Sequence, residues 1–487
     1  MNKPQKYILD HNGKPYNRFF EDISAIPRNS FEEEAVSDYF VAFAEERGLW
    51  HSRDQYWNVV IKKPASPGYE GHPPVMLQAH TDMICVKEPE SGHDFTKDPL
   101  ELYVEDGWLR AKGTSLGSDD GYGVAYILAI LDDKSLKHPP IEAMLSTQEE
   151  NGLGGATNLD YSQFAAKRAI CLDMPWEGAT YLSTAGAIGG DFIKNVAWET
   201  GERSAIEVSV TGATGGHAAL NAKNDQASAI KCVVRMLAAI QAVAPIRLAH
   251  IEGGTVRNNI STQSMARFTY EEKDYSAIVA AFERVKQGVL FEYAFTDPEL
   301  ACRLQKAGTS GKYLTAEDSR QSINFLYALP NGTYYRSMKY HGDVFASRNT
   351  GTIEFKGDKL VAGNMLRGTM ATQIEDMRMQ METTAAAFGA YFNKEYGYPG
   401  YISPEGTPLV ETWKAVCKEM FGRELEMFNM HAGTEGGTIY DKMGGLGKAD
   451  IICLGPVSHD VHSPQEAMNL ASFDKSYQCL LKILERI

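Results

Sequence analysis

Hydrophobic and polar positions along the chain follow two rhythms. Near the start, Val36, Phe40 and Phe43 recur on one helical face, Ser30 and Glu33 have the form of a capping box, and Gly48 stands where a helix stops. One helix is therefore predicted between Ser30 and Gly48. Beyond it, short apolar runs at 57–61, 75–79, 141–146, 169–172 and 451–454 alternate with helical stretches such as 124–131. This alternation predicts an α/β domain with a mostly parallel sheet flanked by helices. Ligands of such sheets bind beyond the carboxyl ends of the strands. The residues at those ends are His80, Glu149 with Glu150, Asp173, and the stretch leading to His462.

Between residues 189 and 396 the acids and histidines after strands stop, and amphipathic strands alternate with long helical patterns. Strands are predicted at 205–210, 265–270 and 359–365, and helices at 226–242 and 374–392. The run Tyr396-Gly397-Tyr398-Pro399-Gly400 is the punctuation expected where a chain returns to its first domain. The expected organisation is one discontinuous domain, 1–188 with 397–487, and an inserted α+β domain, 189–396. The insert is large enough for two βαβ-like halves.

Composition narrows the function. The 487 residues, 43% hydrophobic, are enough for two domains, and 48 basic against 63 acidic side chains give a formal charge of −15. That sign is wrong for gripping a nucleic-acid backbone. No apolar run approaches the roughly 18 residues of a membrane-spanning helix, so no membrane partner is expected. Residues 1–20 lack the apolar core of a signal peptide, and a cytoplasmic protein is expected. Seven widely spaced cysteines without a Cys-x-x-Cys pair suggest reduced, mostly buried thiols.

Five segments carry candidate chemistry. His80-Thr81-Asp82 sets an imidazole at a strand end with a carboxylate two residues on, able to fix the ring's tautomer. Gly117-Ser118-Asp119-Asp120-Gly121 places two acids in a glycine turn before a helix. Gln148-Glu149-Glu150 ends one strand with paired carboxylates, Asp173 ends another, and His459-Asp460-Val461-His462 follows the last. Taken singly, each has a structural reading as a cap, a turn or a solvated loop. Taken jointly, they converge on one rim of one sheet, and adjacent buried acids need a compensating cation. Two histidines with several carboxylates suit zinc, manganese or cobalt. A metal pair sharing a bridging carboxylate needs one spare carboxylate as general base, and Glu149 fits that task.

A rival stands in the same stretch. Gly113-Thr114-Ser115-Leu116-Gly117 matches a nucleophile elbow, and Asp173 and His462 follow in the order a serine hydrolase requires. Against it, residues 108–112 are barely apolar, another glycine turn follows instead of a helix, and Asp119, Glu149 and Glu150 stay unexplained.

The segments together resemble the dizinc aminoacylase and carboxypeptidase family of metallopeptidases, most closely its aminoacyl-histidine (Xaa-His, carnosinase-like) dipeptidases. His80-Thr81-Asp82-Met83, Gly117 to Gly121, Gln148-Glu149-Glu150, Leu172-Asp173 and His462-Ser463-Pro464-Gln465-Glu466 occur in the family's order. The resemblance implies a zinc-peptidase-like catalytic domain, with the insert as a lid and dimerisation domain of a homodimer. It implies two divalent ions, zinc first, with manganese or cobalt as alternatives. His80, Asp119 and Asp173 would hold one, and Asp119, Glu150 and His462 the other. Asp82 would orient His80, and Glu149 would move the proton of the metal-bridging water to the departing amine. By the same resemblance His217 would polarise the scissile carbonyl, Asn258 would bind substrate, Arg367 would grip a substrate carboxylate, and Glu435 would meet the substrate ammonium. The substrates implied are small unblocked peptides, Xaa-His dipeptides including β-alanyl-histidine. An N-acyl amino acid deacylase or a tripeptidase are the alternatives on this scaffold. Asn259-Ile260-Ser261, where many relatives have Ala-Ile-Pro, and Met174-Pro175-Trp176, where relatives are more polar, depart from the pattern.

Overall fold

Every residue of the strands Val75–His80 and Ile141–Ser146 is buried, so the sheet they form has to be covered on both faces. In the computed structural model, which describes residue 4 and residues 6–445 and 447–487, six strands make this sheet. Their order is Trp50–Arg53, Val59–Lys63, Ile141–Ser146, Val75–His80, Arg168–Cys171, Asp450–Cys453. The first two pairings are antiparallel and the other three parallel. Leu77, Ile170 and Ile452 point into a cluster with Phe20, Phe40, Tyr126, Trp413 and Leu480 from five helices. Met76, Ala169 and Ile451 point the other way, towards Ile439 and Tyr440. The parallel strands run in register, His80 opposite Ser146 and Gln78 opposite Cys171, so the segments that follow them leave the sheet at one end.

The Ser118–Asp132 helix is buried continuously from Gly121 to Leu131, as a helix without a polar face must be. The early helix spans Glu34–Arg47 and stops at Gly48, whose φ of 64° is left-handed. The predicted capping box is not formed. No side chain caps this helix. Ser30 Oγ instead donates to Asp82 Oδ2 (2.8 Å), and Glu33 Oε1 accepts from the Gln148 N–H (2.9 Å).

The chain divides into two compact units. One comprises Met1–Thr184, Gly400–Met430 and Thr434–Ile487 and contains the six-stranded sheet; the other comprises Ala185–Pro399 with His431–Gly433. The second unit is built on a nine-stranded sheet whose pairings are all antiparallel among the described residues. Ile206, Val208 and Val210 of the strand Trp198–Thr211 alternate into a core shared with Val233, Phe282, Phe325 and Met377 of four helices.

Two predicted boundaries in this unit move. The helix expected at 374–392 spans Ala371–Ala387 and is stopped by Gly389 at φ 69°. Ala390–Tyr398 is then a strand paired with Gly186–Asn195, and it absorbs residues read as punctuation. Apolar spacing through Phe392 mimics a helix, and cross-strand pairing decides the outcome. The helix expected from residue 226 starts at Ala229, where Ser228 Oγ and Ser261 Oγ accept the N–H groups of Lys231 (3.4 Å) and Ile230 (3.0 Å). Ser261, one of the departures noted above, is thus tied to the start of this helix.

Candidate metal centre

The carboxyl end of the parallel strands gathers the predicted residues of the first unit. His80 ends its strand, and its Nε2 lies 2.9 Å from Asp119 Oδ1 in the turn that opens the Ser118–Asp132 helix. His462 Nε2 lies 2.8 Å from Glu150 Oε1 and 3.4 Å from Asp119 Oδ2. Three groups of potential ligands result: His80, Asp119 and Asp173; Asp119, Glu150 and His462; and His80, Glu149 and Glu150. Within each, the donor atoms lie within 4.8 Å of one another. Asp119 belongs to the first two groups and offers a different oxygen to each histidine.

The two acids of the glycine turn are separated by role. Asp119 faces the histidines, whereas Asp120 accepts from the backbone N–H groups of His80 (3.2 Å, at Oδ2) and Gly123 (3.2 Å, at Oδ1). Asp82 lies under the site: its carbonyl is 3.2 Å and its Oδ1 3.5 Å from His80 Nδ1. Its two carboxylate oxygens accept from the N–H groups of Glu149 (3.0 Å) and Glu150 (3.2 Å).

Electrostatics describe a pocket of surplus negative charge. Burial, together with the charges of Asp119 and Glu150, pushes the Asp173 carboxyl up to about 7. Burial and the neighbouring Asp173 and Glu150 push Glu149 well above the carboxylate range. Hydrogen bonds to Asp119 and Glu150 raise His462 to about 10. Burial would lower His80, but Asp119 and Asp82 hold it well above its ordinary value. Protons therefore supply the positive charge that this ligand set lacks. A divalent cation would displace them and satisfy the same carboxylates. The donors, imidazole and carboxylate without thiolate, suit zinc, manganese or cobalt, so the residues present fit such ions.

Ser115 lacks the setting of a nucleophile elbow. It is buried, its Oγ donates to the Ile84 carbonyl (2.6 Å) and accepts from the Val86 N–H (3.2 Å), and it ends no buried strand. The elbow-like letters mark a structural turn.

The model of Peptidase family M20/M25/M40 matches residues 76–486. The chain belongs to this peptidase family. It is 29% identical over 484 residues to the cytosol non-specific dipeptidase of Escherichia coli (strain K12), covering 97% of this chain and 98% of that protein. The crystal structure of aminoacylhistidine dipeptidase from Vibrio alginolyticus superposes with a TM-score of 0.89 at 28% identity, covering 97% of this chain and 96% of that one. The aminopeptidase PepT from Bacillus cereus ATCC 10987 shares the fold, with a TM-score of 0.54 and 16% identity over 97% and 98% of the two chains.

Other parts of this peptidase were less visible in the sequence. Arg28, fully buried, donates to the carbonyls of Thr81 (3.1 Å), Asp82 (3.2 Å) and Gly117 (2.6 Å), joining two site turns, and no local pattern announces it. Glu466 accepts the N–H groups of Leu116 (2.9 Å), Gly117 (3.0 Å) and Ser118 (2.8 Å) and so ties the glycine turn to the chain after His462. Its signal was its place in the His462 motif. Glu435 is buried; its Oε2 accepts from Gln78 Nε2 (2.6 Å) and from Ser146 Oγ, its Oε1 has no partner, and burial pushes its carboxyl up to about 8.

His217, Asn258 and Arg367 lie in the second unit. There the short strands Gly216–His217 and Asn259–Ile260 pair, the Asn258 carbonyl accepts from the Ala218 N–H (2.8 Å), and Arg367 Nη1 donates to Tyr398 Oη (2.9 Å). Burial, then the Arg367 charge, lowers His217. The same causes, with His217 added, bring His431 down to about 3, while its Nε2 is 2.7 Å from Ser347 Oγ.

Proposed function

We propose that this peptidase is a dimetal dipeptidase that hydrolyses unblocked dipeptides, Xaa-His among them. The observation that carries the reading is the pair of potential ligand groups sharing Asp119; Glu149 stands outside that pair and next to it, grouped with His80 and Glu150. His80, Asp119 and Asp173 would hold one ion, and Asp119, Glu150 and His462 the other. Zinc is the first candidate, manganese and cobalt the alternatives. Bound there, the ions would supply Lewis-acid polarisation of the scissile carbonyl and make a water acidic enough to be deprotonated near neutral pH.

The protein's own groups do the rest. Asp82, against the Nδ1 side of His80, fixes the ring so that Nε2 faces Asp119. A carboxylate oxygen of Glu149 accepts the proton of the attacking water and returns it to the departing amine nitrogen. A carboxyl pushed upward by burial suits that two-way transfer. Glu435 Oε1, buried and without a partner, is a ready acceptor for the substrate ammonium. In the second unit, Arg367 offers a fork for the substrate carboxylate, His217 a neutral imidazole for the carbonyl oxygen, and Asn258 an amide for the peptide. The names of the E. coli and Vibrio relatives support a dipeptide substrate, and that of the latter supports a histidine at its second position. A cytoplasmic homodimer completes the reading. The word cytosol in the E. coli relative's name supports the location, and among the described residues no helix is long and apolar enough to cross a membrane.

The test is the initial rate on β-alanyl-histidine, leucyl-histidine and their N-acetylated forms, for protein as prepared, after chelation, and after zinc or manganese is restored. Cleavage of the free dipeptides, lost on chelation and recovered on addition, is expected. Glu149→Ala should lower kcat about 10³-fold with bound metal retained. Faster cleavage of the acetylated forms would establish a deacylase instead.

A further inference from the structure

We infer that Glu33 is a positioning residue for the reaction, setting the place of the Glu149 carboxylate by holding the backbone N–H of Gln148. The inference rests on Glu149 being the base of the proposed reaction.

Four consecutive backbone N–H groups leave the Ile141–Ser146 strand, and each is captured by a side chain from elsewhere. Thr147 N–H donates to Asn58 Oδ1 (3.0 Å), Gln148 N–H to Glu33 Oε1 (2.9 Å), Glu149 N–H to Asp82 Oδ1 (3.0 Å) and Glu150 N–H to Asp82 Oδ2 (3.2 Å). The turn needs such support. Gln148 has φ 56°, a left-handed conformation that a residue with a side chain keeps only when its surroundings impose it. Rotation at Gln148 would re-aim both carboxylates that follow.

Glu33 is fully buried, its Oε1 is spent on this one bond, and its Oε2 has no hydrogen-bond partner. A buried carboxyl of that kind is a cost, and although Glu33 directly precedes the Glu34–Arg47 helix, its side chain does not bond to that helix. Ser30, its partner in the unformed capping box, likewise turns to the site and donates to Asp82. The segment before the helix thus supports the turn bearing the base at Gln148 directly and at Glu149 and Glu150 through Asp82.

Glu33→Met fills the space without a strong acceptor, Glu33→Gln keeps an acceptor at the same reach, and Glu33→Asp withdraws the carboxyl by one methylene. In the whole metal-loaded enzyme, the Met variant should lose kcat about 100-fold, as for a displaced catalytic group, with KM and metal content changed less than about threefold. The Gln variant should stay within about fivefold of wild type. In the metal-free protein, amide exchange over residues 147–150 should be at least about tenfold faster in the Met variant and restored by Gln. Should the Met variant not fold, the Asp variant carries the test, with an expected kcat loss of about tenfold. Unchanged kcat and exchange in a folded Met or Asp variant would overturn the inference, as would equal losses in Met and Gln. Wild-type turnover and Glu149→Ala are measured alongside. An inactive wild type refutes the dipeptidase reading, while exchange still decides whether Glu33 holds the turn.

Discussion

The proposed role of Glu435 turns on one unsatisfied oxygen. Its Oε2 is occupied by Gln78 and Ser146, so Oε1 is the atom free to take a charged donor, and a buried hydrogen bond to a charged group is worth about 1.5–3 kcal/mol. Glu435→Gln is therefore expected to raise KM for leucyl-histidine by roughly 10- to 100-fold and to leave any slow turnover of an N-acetylated dipeptide unchanged. Equal effects on both substrates would remove Glu435 from ammonium recognition. The acids at the strand ends could be read from the sequence because each follows a buried apolar run, and position in a parallel sheet fixes where such a residue emerges. The split between Asp119 and Asp120 rested on the family resemblance alone, since in local pattern the two adjacent letters are identical and differ only in which one the His80 and Gly123 N–H groups take. Ser30 and Glu33 were misread for the opposite reason. Their spacing has a strong local meaning, and the partners that override it lie 52 and 115 residues away.

At the scale of elements, the site depends on how closely the Ser118–Asp132 helix approaches the end of the Arg168–Cys171 strand. Gly123 makes that approach possible, since a Cβ there would lie 2.5 Å from Asp120 Oδ1 and 2.7 Å from the carbonyl oxygen of Leu172, the residue before Asp173. Backbone cannot yield as a side chain can. Gly123→Ala is expected to destabilise the protein by about 1–3 kcal/mol. By parting the supports of Asp119 and Asp173 it should weaken metal binding roughly 10- to 100-fold. Gly71→Ala, with open space around it, should change stability by less than about 0.5 kcal/mol. Urea unfolding and metal titration of both variants check the pair. Five of the six strands of the sheet were marked in the sequence by buried apolar runs; the edge strand Trp50–Arg53, polar and partly exposed, was not. Nor was the end of the Ala371–Ala387 helix. Residues 388–392 keep apolar spacing, and only the left-handed Gly389 and pairing with Gly186–Asn195 show that a strand has begun.

At the scale of the whole molecule, the two units have separate cores. No residue of the core around Phe268, Phe282 and Phe325 belongs to the clusters on either side of the six-stranded sheet. Among the described residues, the potential metal-ligand groups lie in the first unit, although its chain is interrupted by the second. Folding and metal binding should therefore be separable. Residues 185–399 carry every strand of the nine-stranded sheet and lack only the short His431–Gly433 excursion of their unit. Expressed alone, they are expected to unfold cooperatively, with a melting temperature that zinc or manganese leaves unchanged. A ligand that binds only the folded state adds about 2.7 kcal/mol at 100 times its Kd, so the full chain should melt at a higher temperature when loaded than after chelation. Metal protection of the isolated fragment would mean that the second unit holds ligands of its own. Its absence there, with protection of the full chain, would assign the metal's folding energy to the unit that holds His80, Asp119, Glu150, Asp173 and His462.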